Sequence, residues 1–97
     1  MKRQDAINQL RAHRQELVDR FGISTLYLFG SVARDDARSS SDIDLLVEFT
    51  KPVGLFHFIE LQQSLEATLG SKVDLGTRRS LKSRLKDEVL QDAIRVA

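Results

Sequence analysis

Three short apolar runs, TLYLF at 25–29, DIDLLVEF at 42–49 and KVDL at 72–75, are separated by segments of helical character. Such an alternation leaves few architectures open, because short strands must pair into a sheet and the helices between them must cover it. Before the first run, Ile7, Leu10, Leu17, Val18 and Phe21 recur near helical spacing from Lys2 to about Arg20, and Gly22 supplies a stop. Ser31 is a candidate cap for a short helix reaching about Asp36, followed by the polar loop at 37–41. Leu55, Phe58, Leu61, Leu65 and Leu69 trace a helix ending at Gly70. After the third run Gly76-Thr77 turns the chain, Ser80 is a further candidate cap, and Leu81, Leu85, Val89 and Ile94 mark a final helix. The predicted order is αβαβαβα in one domain spanning 1–97: an α/β (α+β) fold with a three-stranded mixed sheet and about four helices. The helices pack on one side and around the edges, and the polar sheet face stays open.

At 97 residues and 41% hydrophobic content the chain suits a single core and leaves no room for a second substrate-binding lobe. The absence of cysteine excludes disulfides, thiolate catalysis and cysteine-ligated zinc, and suits a reducing compartment. MKRQDAINQL lacks an apolar stretch of signal-peptide length and no segment approaches a membrane span, so a soluble cytoplasmic protein is expected. Net charge is +1, yet residues 23 to 75 carry four bases against eight acids, with Arg78, Arg79, Lys82, Arg84 and Lys86 compensating near the end. Runs of this kind ordinarily form a solvated helix face, and direct nucleic-acid binding is not expected.

Chemistry concentrates around the second run. Its period of two puts Ile43, Leu45, Val47 and Phe49 on one face and Asp42, Asp44, Leu46 and Glu48 on the other. Asp42 and Asp44 thus project together and can bind a hard cation such as magnesium, which prefers oxygen ligands and leaves positions for phosphate. Asp74 falls on the polar side of the third run, and if the two strands are neighbours three carboxylates converge. Such a cluster stays ionised only beside a compensating metal. Gly30-Ser31 provides a sharp turn into a helix N-terminus, where backbone N–H groups and the Ser31 hydroxyl suit phosphate. Arg34, three residues on, is a candidate phosphate contact. An Asp-x-Asp alone is common where a loop enters a strand; its combination with the glycine turn and a later strand aspartate raises its meaning.

Gly30-Ser31, ten residues, then Asp42-Ile43-Asp44 resembles the signature of the DNA polymerase beta-like nucleotidyltransferase superfamily. The run GSVARDDARSSSDIDLLVEF is similar to its minimal nucleotidyltransferases, and the likeness extends over nearly the whole chain. Members often carry glycine where Asp35 stands. The resemblance implies that Gly30 and Ser31 hold a nucleoside triphosphate, with Arg34 as a further contact. Asp42 and Asp44 would ligate two magnesium ions, and Asp74 would share the catalytic metal and help deprotonate the acceptor hydroxyl. It further implies an antitoxin partnered with a HEPN-domain ribonuclease toxin in a hetero-oligomer, adenylylating a toxin tyrosine from ATP. Nothing in these residues by themselves specifies adenine or tyrosine. A non-catalytic antitoxin acting by occlusion, or a nucleotidyltransferase acting on a small molecule or nucleic acid, are the other readings open to the sequence.

The remaining candidates are structural in expectation. His13 and His57 stand alone without ligand spacing. Tyr27 belongs to the first strand, and Phe56 and Phe58 to helix packing, although one of them can serve an exposed partner surface. Arg78 and Arg79 are expected to form a solvated turn after the third strand.

Overall fold

The computed structural model describes residues 1–38, 40–77, 80 and 91–97. Two helices, α1 (Arg3–Ala12) and α2 (Arg14–Phe21), lead into β1 (Ile23–Phe29). Then come α3 (Gly30–Ala33), β2 (Ile43–Phe49), α4 (Leu55–Leu69), β3 (Val73–Gly76) and β4 (Ile94–Arg95). The sheet has the order β3-β2-β1-β4. β2 runs antiparallel to β1 and parallel to β3, so the sheet is mixed as expected, and α4 is the crossover that a parallel pair requires.

Period and burial agree along the central strands. Leu26 and Leu28 of β1 and Ile43, Leu45 and Val47 of β2 are buried in one cluster with Leu10 of α1, Leu17 of α2 and Leu61 and Leu65 of α4. Helices α2 and α4 end at Gly22 and Gly70, both with left-handed backbone, where the sequence places their stops. Among the described residues no helix is long and apolar enough to cross a membrane.

Four features depart from expectation. The first helix is two, broken at His13 (φ −102°, ψ 6°), whose Nδ1 lies 2.8 Å from the Gln9 carbonyl oxygen. Residues 11–16 are all exposed, so no buried side chain holds a straight helix against the sheet through that stretch. The second departure is a fourth strand. Ile94, placed by its spacing in a final helix, instead pairs with Leu28, while the Val96 N–H donates to the Leu26 carbonyl (2.9 Å) and the Leu26 N–H donates to Ala97 (3.1 Å). The open edge of β1 needs partners for its backbone groups, and the β-branched Ile94 and Val96 suit that pairing better than a helix end. Third, the polar sheet face is not wholly open, since Leu46, directly opposite Tyr27, is only 4% exposed. Fourth, α3 closes at Ala33 rather than near Asp36. Of the final helix, Leu81, Leu85 and Val89 lie outside the described residues, as do Arg78 and Arg79.

β3 forms one edge of the sheet, and α4 reaches over it. The Val73 N–H donates to the Glu66 carboxylate (3.1 Å), and the Gln62 side-chain amide donates to the Val73 carbonyl (3.1 Å). Both pairs are partly buried, so removing the carboxylate leaves an N–H without its partner. Glu66→Ala is expected to cost about 1 kcal/mol in urea unfolding, with an unchanged m-value.

Candidate active site

The site forms where β1 hands over to α3. Phe29 is extended, and the chain then turns through Gly30 at φ +73°, a left-handed conformation that glycine adopts without the clash a β-carbon brings. A β-carbon at this position would stand 3.0 Å from the Asp44 Cγ and 3.2 Å from its Cβ, and nearer still to Oδ2. The glycine therefore serves two ends: it makes the turn, and it leaves the space that the Asp44 carboxylate occupies.

Sheet register explains why Asp44 is there. Phe29 faces Asp44 across the β1–β2 pair, and Asp44 is level with Asp74 across the parallel β2–β3 pair. Asp42, two residues before Asp44, falls on the same side at the mouth of β2. Asp44 is half-buried, whereas Asp42 and Asp74 are exposed. Burial, followed by the negative charges of Asp74 and Asp42, pushes the Asp44 carboxyl up from its ordinary 3.8 to about 6, and the Arg34 guanidinium opposes the shift. The three acids lie at one end of the β2–β3 pair without meeting at a point: among the described residues no ready-made cluster of three metal-ligating side chains is formed.

One sequence-predicted role changes. Ser31 does not cap α3, whose N-cap is Phe29 and has no side-chain cap bond; it sits half-buried inside the first turn. Arg34 stands at the C-terminal end of α3, and its guanidinium is bound to the carboxylates of Asp92 (3.0 Å) and Asp36 (3.3 Å). Asp92 had no signal in the sequence, being 58 residues from its partner. His57 is structural as expected: Nε2 lies 2.7 Å from the Phe21 carbonyl oxygen, and the ring stands edge-on to Phe21 and Phe49.

The loop leaving α3 carries its own constraint. Asp35 has φ 60°, which accounts for a glycine preference at this position, and its carboxylate accepts a bond from the Arg3 N–H in the first turn of α1 (3.1 Å). Glycine would relieve the backbone but lose this bond, whereas alanine would lose the bond and keep the strain. We expect Asp35→Ala to destabilise by about 1–2 kcal/mol and Asp35→Gly by about 1 kcal/mol less than that, read from thermal unfolding.

A left-handed glycine turn opening a helix, packed against a strand aspartate with two more beside it, supplies the parts of a nucleotidyltransferase: a cradle for phosphate and acids for its accompanying cation. Residues 10–96 match the nucleotidyltransferase domain family, and the chain belongs to that family. It is 45% identical over 87 residues to the protein adenylyltransferase MntA of Thermococcus cleftensis, covering 90% of this chain and 88% of the relative. A solved minimal nucleotidyltransferase is 40% identical and superposes with a TM-score of 0.75 over 97% of this chain and 95% of that one. A chain from the Shewanella oneidensis complex of tri-AMPylated HEPN toxin with MNT antitoxin is 25% identical, with a TM-score of 0.67 over 94% of this chain and 71% of that one.

Proposed function

We propose that this nucleotidyltransferase is the antitoxin of a type VII-like toxin–antitoxin pair. It acts in the cytoplasm by transferring AMP from ATP to a hydroxyl, that of a tyrosine, on a HEPN-domain ribonuclease toxin. The observation that carries the reading is the register that sets Asp44 over Gly30 and beside Asp74. The similarity to a protein adenylyltransferase and to a complex holding an AMPylated toxin supports the choice of group and acceptor.

The acids fit magnesium on their own chemistry. All three offer hard oxygen donors, and Asp44 is a half-buried carboxylate pressed by two like charges, a situation that a bound divalent cation relieves. Asp42 and Asp44 would hold two ions, with Asp74 sharing one. Bound there, magnesium neutralises charge on the α-phosphate and on departing pyrophosphate.

The chain's own groups then have distinct tasks. Gly30 lets the backbone approach the triphosphate, and the Ser31 hydroxyl donates to a phosphate oxygen. Arg34 is a further phosphate contact, once its guanidinium exchanges a carboxylate partner for phosphate. Asp74 takes the proton from the acceptor hydroxyl, whose oxygen bonds to the α-phosphorus in line. The bond from that phosphorus to the β-phosphate oxygen breaks, and pyrophosphate leaves. The test is incubation with magnesium, α-labelled ATP and a purified HEPN-domain protein from the same genome, beside the Asp42→Asn/Asp44→Asn double variant. Label on the partner with the intact chain alone is the expected result. An unlabelled partner that the double variant still silences would replace transfer by occlusion.

A further inference from the structure

Among the described residues the large apolar side chains left in water are gathered in one place. Among the described residues the exposed large hydrophobics are Val53 (37%), Leu55 (70%), Phe56 (82%) and Ile59 (38%), all within the β2–α4 connection and the start of α4. Leu55, Phe56 and Ile59 lie on one flank of α4, apart from the stripe of Leu61, Leu65 and Leu69 that enters the core. Of the two phenylalanines expected in helix packing, Phe58 packs against the core, whereas Phe56 is exposed and is the one left for a partner surface. Holding Phe and Leu in water forgoes about 1.5–3 kcal/mol per side chain relative to burial, and the fold gains nothing from Phe56 in return.

A groove of about 750 Å³ borders this patch, with Glu48, Phe49, Leu55, Phe58, Leu75 and Thr77 among its walls. Those walls include the far ends of β2 and β3, the two strands whose near ends carry Asp44 and Asp74. From Asp44 to Glu48 is about 13 Å along an extended strand, so a molecule seated on the patch reaches the acids with a few residues of chain. Continuity of the groove with the two acid-bearing strands suits a partner that lies on the patch and also touches the acids. The exposed Lys51 and Glu60 flank the patch and provide a polar rim.

We propose that the 53–59 patch and its groove dock the acceptor protein, through an apolar helix or loop that holds its reactive hydroxyl toward Asp74. The assignment rests on the transfer reading above and adds to it the surface that selects the acceptor. The test uses the whole chain, its Leu55→Asp/Phe56→Asp variant and the conservative Phe56→Leu, with a HEPN-domain protein from the same genome as probe. Binding is measured in the Asp42→Asn/Asp44→Asn background, and labelling in the active background as a function of partner concentration. We expect the double Asp substitution to weaken binding and raise KM for the partner at least tenfold. The kcat, KM for ATP and Tm should be unchanged, and Phe56→Leu should keep most of the affinity. Equal binding and equal KM in the Asp variant would overturn the docking surface while leaving transfer intact. A self-association of the chain that the Asp variant abolishes, with partner affinity unchanged, would overturn it in favour of a second copy. If the intact chain binds the partner without labelling it, transfer fails, and loss of that binding in the Asp variant still supports the surface. Absence of binding by the intact chain would overturn both.

Discussion

Replacing Asp44 by asparagine is expected to stop transfer and, at pH 8, to make the ligand-free chain more stable. Loss of activity follows from the proposed chemistry: asparagine keeps the shape but not the charge that holds a cation beside phosphate, and a fall of about a thousandfold or more is the expected scale. The gain in stability follows from linkage. The folded-state pKa of Asp44 is raised to about 6 from 3.8, so the folded chain holds this proton more tightly than the unfolded chain. The associated stabilisation is fully present below pH 3.8 and is lost as pH rises through 6. At pH 8 the ionised, half-buried carboxylate is therefore a cost, which asparagine removes. Solvent reaches about half of the group and screens its neighbours, so the gain is about 1 kcal/mol, or several degrees in Tm for a domain of this size. Thermal unfolding without metal at pH 8 and at pH 3.5 checks the sign: the variant should lead at the first and lose that lead at the second. Added magnesium should raise Tm of the parent chain and not of the variant.

Gly30→Ala is expected to damage both the fold and the reaction. Left-handed backbone costs a non-glycine residue about 1–2 kcal/mol, and the new methyl would meet the Asp44 carboxylate in the space it now fills. Asp44 must then swing its carboxylate aside or the β1–β2 pair must shift. A total loss of about 2–4 kcal/mol follows, read from urea unfolding. Activity should fall by about a hundredfold even at temperatures where the variant is folded, since a displacement near 1 Å at the reacting groups has that effect. A variant that folds with parental stability and turns over normally would mean that the glycine is merely tolerated.

How far the sequence foretold this arrangement depends on the range over which each feature is encoded. Strands β1, β2 and β3 and the span of α4 were legible because their periods of two and 3.6 repeat within a few residues, and Gly22 and Gly70 mark local stops. The identity of the acids was legible for the same reason, since Asp42 and Asp44 share a face by spacing alone. That Asp74 lies level with Asp44 was conditional, because strand order is set by tertiary pairing. The contact between Gly30 and Asp44 lay beyond the sequence, depending on an antiparallel register between segments joined by a loop. The break at His13 and the pairing of Ile94 with Leu28 were hidden likewise, each decided by what the neighbouring element offered.

The side chains of Gln62 and Glu66, bound to the backbone of Val73, bear on how this protein can be recognised. A bare edge strand invites an incoming peptide to extend the sheet, a mode in which main-chain pairing gives affinity to many sequences. Here α4 has already taken the outward groups of Val73, so that β-augmentation at this point must first displace a carboxylate and an amide. Recognition is thereby turned from backbone to side chains, where a partner is distinguished by its shape and sequence.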